Sequence, residues 1–414
     1  MNLDADQASF IESQSRCHCD CATIALKVLT ILVLASCPQI SDISKAEAQQ
    51  LRRYTATEAV KIGGADAPEF ATFSWLPRLI LGSDGSIYAL ISTESRIVVF
   101  DSTGRFIRQI GRQGEGPGEM ISPVGHGFLS DTIWVASGPG LRLTRFRIDG
   151  THLESRSLRY PAIQTPKLGG PQNITALLQD GHALYIPGSV LIEPPGRVSL
   201  PVLIGPTDMR SVDTVAFVSR PEGLLLRGVG MLWYYPFQAP PLIAVSSDGS
   251  GLTVVGWSDV PNSVLSVRRL DSRGQELWDR QIPLPSRKIP GRVRDSVITI
   301  AVNRSRPYVD AERKRQNDVK LVPSIKTLVE EGLVLPNHYP PATALVAGSD
   351  GTTWIRTATP DKDDIWLVLN PSGVPEFQVA VPAGVKIQQA TRSSAWGTTT
   401  DTDGVHYVVK LVVK

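Results

Sequence analysis

From residue 51 onward, apolar and polar positions alternate in short runs, and the runs are separated by Asp-Gly or Asp-x-x-Gly. Alternation at period two is the pattern of a strand with one buried face, and glycine after aspartate marks a tight turn. The clearest stretch is 98–119, Val-Val-Phe-Asp-Ser-Thr-Gly-Arg-Phe-Ile-Arg-Gln-Ile-Gly-Arg-Gln-Gly-Glu-Gly-Pro-Gly-Glu. It predicts a strand, a turn over Asp101–Gly104, a second strand through Phe106, Ile107 and Ile110, and a glycine-rich loop. Just upstream, Asp84-Gly85-Ser86-Ile87-Tyr88 is another turn leading into a strand, so these residues form one sheet unit.

Weaker copies follow. Their inner turns fall at Asp84, Asp131, Asp180, Asp248 and Asp350, separated by 47, 49, 68 and 102 residues. A base period near 47 fits a four-stranded propeller blade. Outer turns accompany them at Asp149-Gly150, Asp271–Gly274 and Asn370–Gly373, with a degenerate one at Pro206–Asp208. A last unit begins at Ser394-Ala395-Trp396-Gly397 and runs through Asp403-Gly404 to the final strand. The two-period gap before Asp350 predicts an insertion. Asp310 to Leu321 is rich in Glu, Arg, Lys and Gln and reads as helix; Pro323 suits the first position of a second short helix closed by Gly332. Val319, Ile325, Leu328 and Val329 are positioned to pack it. The last unit is too short for four strands, and Tyr54–Gly63 is a strand with no local partner. Pairing the two ends closes the ring and removes an open edge. The predicted fold is all-β: a six-bladed β-propeller over 51–414, with a helical insertion at about 286–340 between blades 4 and 5 and N-/C-terminal strand closure.

Composition agrees. A chain of 414 residues with 35 Gly and 31 Pro is too long for one ordinary core unless it is built from repeats. The formal net charge of +2 gives no basic footprint for nucleic acid. All four cysteines, Cys17, Cys19, Cys21 and Cys37, precede the repeats, which leaves the globular part without a disulfide framework or a cysteine metal site. Residues 22–36 form an apolar run broken once by Lys27, short for a membrane span and suited to a signal-peptide core. The run ends Leu34-Ala35-Ser36-Cys37, which resembles the bacterial lipobox, so Cys37 is a candidate for lipidation; cleavage after Ala46-Glu47-Ala48 is the alternative. The acidic residues Asp4, Asp6, Glu12 and Asp20 make a poor signal n-region, which points either to a misassigned start or away from a signal peptide. Cys17, Cys19 and Cys21 alternate along the chain but lack the four ligands at usual zinc spacing. Residues 1–50 are therefore read as a leader and linker, and the protein as exported, periplasmic or anchored through a lipid.

Phe100–Glu119, with its Phe-Asp-Ser-Thr-Gly-Arg turn and Gly-Arg-Gln-Gly-Glu-Gly-Pro-Gly-Glu loop, resembles the signature of bacterial six-bladed β-propeller proteins related to NHL repeats. The resemblance spans roughly 52–414 and is strong only at this blade junction. It implies an exported protein, often a lipoprotein. Met120 stands where the family usually has an aromatic.

The glycine loop is not a phosphate cradle, because a strand follows it and Pro117 removes a donor. Histidines at 126, 182, 338 and 406 are the sparse candidates for a central pocket; His126 is expected to precede the inner strand of blade 2, near the channel mouth. His126, Arg78 and Glu115 are the candidate ligand-binding residues. No catalytic residue and no metal ligand is assigned, and no Gly-x-Ser-x-Gly elbow is present. Two functions remain. One is a binding or scaffold module, expected to be a monomer without cofactor, presenting its central face to a protein, peptide or glycan. The other is an NHL-like lyase or lactonase with calcium or zinc on the axis. The first is favoured because the inner-strand starts are read as mainly Ser, Gly, Thr and apolar residues.

Overall fold

The computed structural model describes residues 51–414, apart from 138–141, 159–173, 187–197, 209, 221–222, 227–230, 235–236, 238–240, 258–262, 285–286, 317–334 and 359–361. The leader readings, including Cys37 and the Cys17–Cys21 cluster, lie outside the described residues. So does the second short helix starting at Pro323, with Val319, Ile325, Leu328 and Val329.

Six four-stranded antiparallel meanders follow one another: 78–110, 123–157, 174–220, 242–283, 342–381, and 386–413 completed by Arg52–Gly63. They are blades 1 to 6. The Asp-Gly turns join the first and second strands of a blade. Each second strand then carries a large buried residue: Tyr88, Trp134, Leu184, Leu252, Trp354 and Trp396. Buried apolar side chains collect in the seams between neighbouring blades, as where Val99 and Ile110 of blade 1 meet Val135 and Phe146 of blade 2. Repetition of this kind distributes the core around the ring.

The outer Asp-x-x-Gly turn of one blade docks on the outer strand of the blade before it. Gly274 sits at φ +80, and a methyl group there would lie 2.2 Å from Val215 Cγ1. Gly373 likewise packs on the Trp278 ring, whose Nε1 donates to Pro371 O at 3.0 Å. Aspartate holds each turn locally: Asp271 Oδ1 accepts from the N–H groups of Arg273 and Gln275 at 2.9 and 2.8 Å.

Ring closure uses one strand for two blades. Arg52–Thr55 pair in parallel with Phe377–Ala380 of blade 5, and Ala56–Gly63 pair antiparallel with Tyr407–Val413 of blade 6. Blades 5 and 6 thereby become one eight-stranded sheet. The ends meet where Thr55 and Lys414 exchange backbone hydrogen bonds of 2.9 and 3.0 Å. Next to that closure, Gln388 Oε1 accepts from Leu79 N–H and its Nε2 donates to Pro77 O, both at 2.9 Å. Gln389 repeats the arrangement with Leu81 N–H and Leu79 O. Side-chain amides thus satisfy the inner edge of blade 1 as a neighbouring strand would.

Three features differ from the sequence expectation. The insertion helix is Gly291–Gln316, beginning well before Asp310 and carrying Pro307 inside it. Its first half contains Val297, Ile298, Thr299 and Ile300, whose β-branched chains favour a strand on local preference alone. The insertion rises on a paired stem, in which Ile289 N–H donates to Asn337 O and Tyr339 N–H to Arg287 O. A two-stranded hairpin, Gly223–Leu226 with Met231–Tyr234, lies between blades 3 and 4 and accounts for the 68-residue spacing. Finally, the innermost strand of each blade precedes the Asp-Gly turn. His126 therefore lies within the inner strand Pro123–Leu129, and the inner strands of blades 1 and 6 start on Arg78 and Lys386.

Candidate functional site

The meander places all Asp-Gly inner turns and Asp-x-x-Gly outer turns on one face of the ring, and the interblade connections on the other. The inner strands run from the connection face to the turn face. At the turn face, Phe128 N–H of blade 2 donates to Ser247 O of blade 4 at 3.4 Å, and Gln179 N–H of blade 3 to Gly249 O at 2.9 Å. These bonds draw blades 2, 3 and 4 together there.

Between the inner strands lies a cavity of about 400 Å³ on the ring axis. Five blades line it. Blade 1 supplies Arg78 and Ile80, blade 2 His126 and Phe128, blade 3 Thr175, blade 4 Ile243, Val245 and Ser247, and blade 6 Gln388 and Gln389. Bulges shape this wall. The registers of blades 2, 3 and 6 slip by one residue at Val124, Thr175 and Gln388. A bulge re-aims a side chain, and Thr175 and Gln388 both face the cavity.

His126 is buried between Gly125 and Gly127. The two glycines let the Trp134 indole lie directly against the strand: a methyl on Gly127 would be 2.7 Å from Trp134 Nε1. His126 Nε2 lies 3.4 Å from Tyr88 O. Burial dominates its titration and, with the positive charge of Arg78, lowers its pKa from 6.5 to about 4 despite the contact with Tyr88 O. The imidazole is therefore neutral at pH 7.

Arg78 is exposed at the start of its strand, at the connection face. Its guanidinium has no hydrogen bond or ion pair among the described residues. Arginines elsewhere in the blades are committed: Arg96 to Glu94, Arg145 to Glu154 and Arg356 to Asp364. Among the described residues, the lining contains no Asp or Glu. A second cation lies behind the wall, where Arg269 donates to Thr253 Oγ1 at 3.0 Å and to Ser246 Oγ. Burial lowers its pKa, against the opposing influence of Asp248.

Of the three residues proposed from sequence, Arg78 and His126 meet at the cavity and Glu115 does not. Glu115 is exposed in the loop joining blades 1 and 2, where its backbone carbonyl accepts from Arg142. The same loop is closed on itself: Glu119 accepts from Gly116 N–H and from Arg112, each at 2.8 Å, and both bonds lower its carboxyl pKa. Met120 beneath it is fully buried against the blade seam, filling the place of an aromatic. Of the other histidines, His182 pairs with Asp180 in an inner turn, His338 lies in the insertion stem, and His406 accompanies Thr400. Among the described residues, no three His, Cys, Asp or Glu side chains converge as a metal site requires. No described helix is long and apolar enough to cross a membrane.

Residues 76–131 match the model of the family DUF5128, described as a six-bladed β-propeller. No curated protein matches the chain. Among solved structures, a DUF4221 family member from Bacteroides vulgatus is 12% identical, with 88% of this chain and 99% of that one covered and a TM-score of 0.45. A candidate exported protein from Bacteroides fragilis is 10% identical over 88% and 99%, with a TM-score of 0.42. Regucalcin, a calcium-binding protein from Agrobacterium tumefaciens, is 10% identical over 88% and 96%, with a TM-score of 0.40.

Proposed function

We propose that this six-bladed β-propeller is an exported binding module, without catalytic chemistry of its own, that takes a ligand in the axial cavity from the connection face. The observation that carries the reading is the cavity itself. It is lined by five blades and brings the uncommitted guanidinium of Arg78 beside the neutral imidazole of His126. Its volume of about 400 Å³ falls toward the lower end of small-ligand pockets, roughly 300–1,000 Å³. That size favours a small molecule, or one terminal unit of a peptide or glycan, over an engulfed chain. Export is supported by the apolar run at 22–36, and anchoring by Cys37 at its end.

An axial lyase or lactonase would need donors for calcium or zinc, and among the described residues the lining offers a single buried histidine and no carboxylate. Two measurements on the purified full chain test the proposal. A thermal-shift screen of small metabolites is expected to find stabilising compounds, with the shift lost in Gly127→Leu, where the added side chain would intrude beside Trp134. Elemental analysis is expected to find substoichiometric calcium and zinc. A stoichiometric metal that survives dialysis, or a screen without any stabilising compound, refutes the reading.

A further inference from the structure

We infer that the ligand of the axial cavity is a small organic carboxylate, whose charged end is held by Arg78 and whose apolar body lies against the wall formed by Ile243, Val245 and Phe128. This rests on reading the cavity as a binding site and adds the chemistry of what enters it.

The charge balance of the lining gives the sign. Among the described residues of the lining, Arg78 is the one charged side chain at neutral pH, since His126 is uncharged and no carboxylate is present. A guanidinium at the entrance of a partly apolar cavity, with no internal anion to neutralise it, favours an external one. Amines lack a counter-charge there and meet the repulsion of Arg78.

The strand that carries Arg78 is held in place before any ligand arrives. Gln388 clamps the residues on either side, bonding Pro77 O and Leu79 N–H at 2.9 Å each. The amides of Gln388 and Gln389 are used up in this way, so the backbone at Arg78 is fixed while its side chain stays free. Such preorganisation reduces the cost of ordering the site on binding.

The shape of the anion follows from the number of cations. One planar guanidinium matches a carboxylate through two parallel N–H···O bonds. A phosphate monoester carries close to two charges and is ordinarily met by more donors than one fork supplies. Elsewhere in the lining, Ile243 and Val245 are partly buried and Phe128 is buried, so the rest of the molecule meets hydrocarbon.

Saturation-transfer NMR with the full chain at pH 7 tests the inference with four probes: phenylacetate, phenylacetamide, phenethylamine and phenyl phosphate. Phenylacetate is expected to bind about tenfold or more tightly than the amide or the amine. In Arg78→Gln that preference is expected to disappear, with the amide unaffected; in Arg78→Lys part of it remains. Arg78 is exposed, so an unchanged melting temperature in both variants is the check on folding. Equal binding of acid and amide, or an acid preference that survives Arg78→Gln, overturns the carboxylate assignment while leaving the binding module intact. Tighter binding of phenyl phosphate than of phenylacetate overturns it as well. Failure of all four probes counts against both the carboxylate and the cavity as a binding site.

Discussion

His126 makes the stability of the propeller depend on acid in a way that can be isolated. Its pKa falls from 6.5 to about 4 on folding because the charged imidazole is desolvated and repelled by Arg78. The unfolded chain therefore holds the extra proton first as pH drops. Stability from this residue is fully present above the unfolded value of 6.5 and is lost progressively as pH falls toward about 4. A displacement of this size corresponds to about 3 kcal/mol in total, of which about 2 kcal/mol is lost between pH 7 and pH 5. The perturbation is His126→Gln, which keeps a polar amide facing Tyr88 O and removes the titration. Urea unfolding of both proteins at half-unit steps from pH 4.5 to 7.5 gives the comparison. Wild type is expected to lose about 2 kcal/mol more than the variant from pH 7 to pH 5. The carboxylates of the turns titrate in both proteins and cancel in the difference. Parallel pH profiles would refute the account and show that His126 is hydrated, or titrates normally, in the folded protein.

The Gln388→Ala, Gln389→Ala double variant leaves Leu79 N–H and Leu81 N–H without their acceptors; a loss of about 2–5 kcal/mol is expected in urea unfolding. Gly274→Ala combines a positive φ with a clash against Val215, and should cost about 2–4 kcal/mol, whereas Gly404→Ala, with the same sign of φ but open space around it, should cost distinctly less. Removing Arg52–Thr55 should preserve the circular-dichroism spectrum of a β protein and expose the edge of blade 5 at Phe377–Ala380. Light scattering is then expected to show concentration-dependent association that the intact chain lacks.

The blade count was legible because turns need particular residues. Asp with Gly directly after it or three positions on is nearly compulsory where the backbone must reach φ near +80, as at Gly85, Gly181, Gly274 and Gly351. Closure by Arg52–Gly63 was legible from a strand without a partner and a final blade one strand short. The insertion helix was harder to read, because Val297–Ile300 carry strand preferences that the surrounding Arg, Asp and Asn residues do not cancel. The site was half legible. His126 stood out by its rarity and its place beside the inner strand of blade 2, but Arg78 has no local signal. It matters only because neighbouring strands leave its guanidinium unmatched, and that depends on side chains from residues 126, 243 and 388. Glu115 attracted attention through its glycine-rich setting, and those glycines serve the joint between blades 1 and 2.

The closing strand also sets an order of events. Its residues are made long before its partners Tyr407–Val413, and Thr55 finds Lys414 only after the whole ring between them has been synthesised. A chain that has not yet reached Tyr407–Val413 cannot complete blade 6, so the ring stays open until those residues are free. Contacts this distant in sequence form slowly. The same linkage then works in reverse: opening the finished ring at this point requires pairing with both blade 5 and blade 6 to be lost. Slow escape from the folded state is the expected counterpart of slow entry.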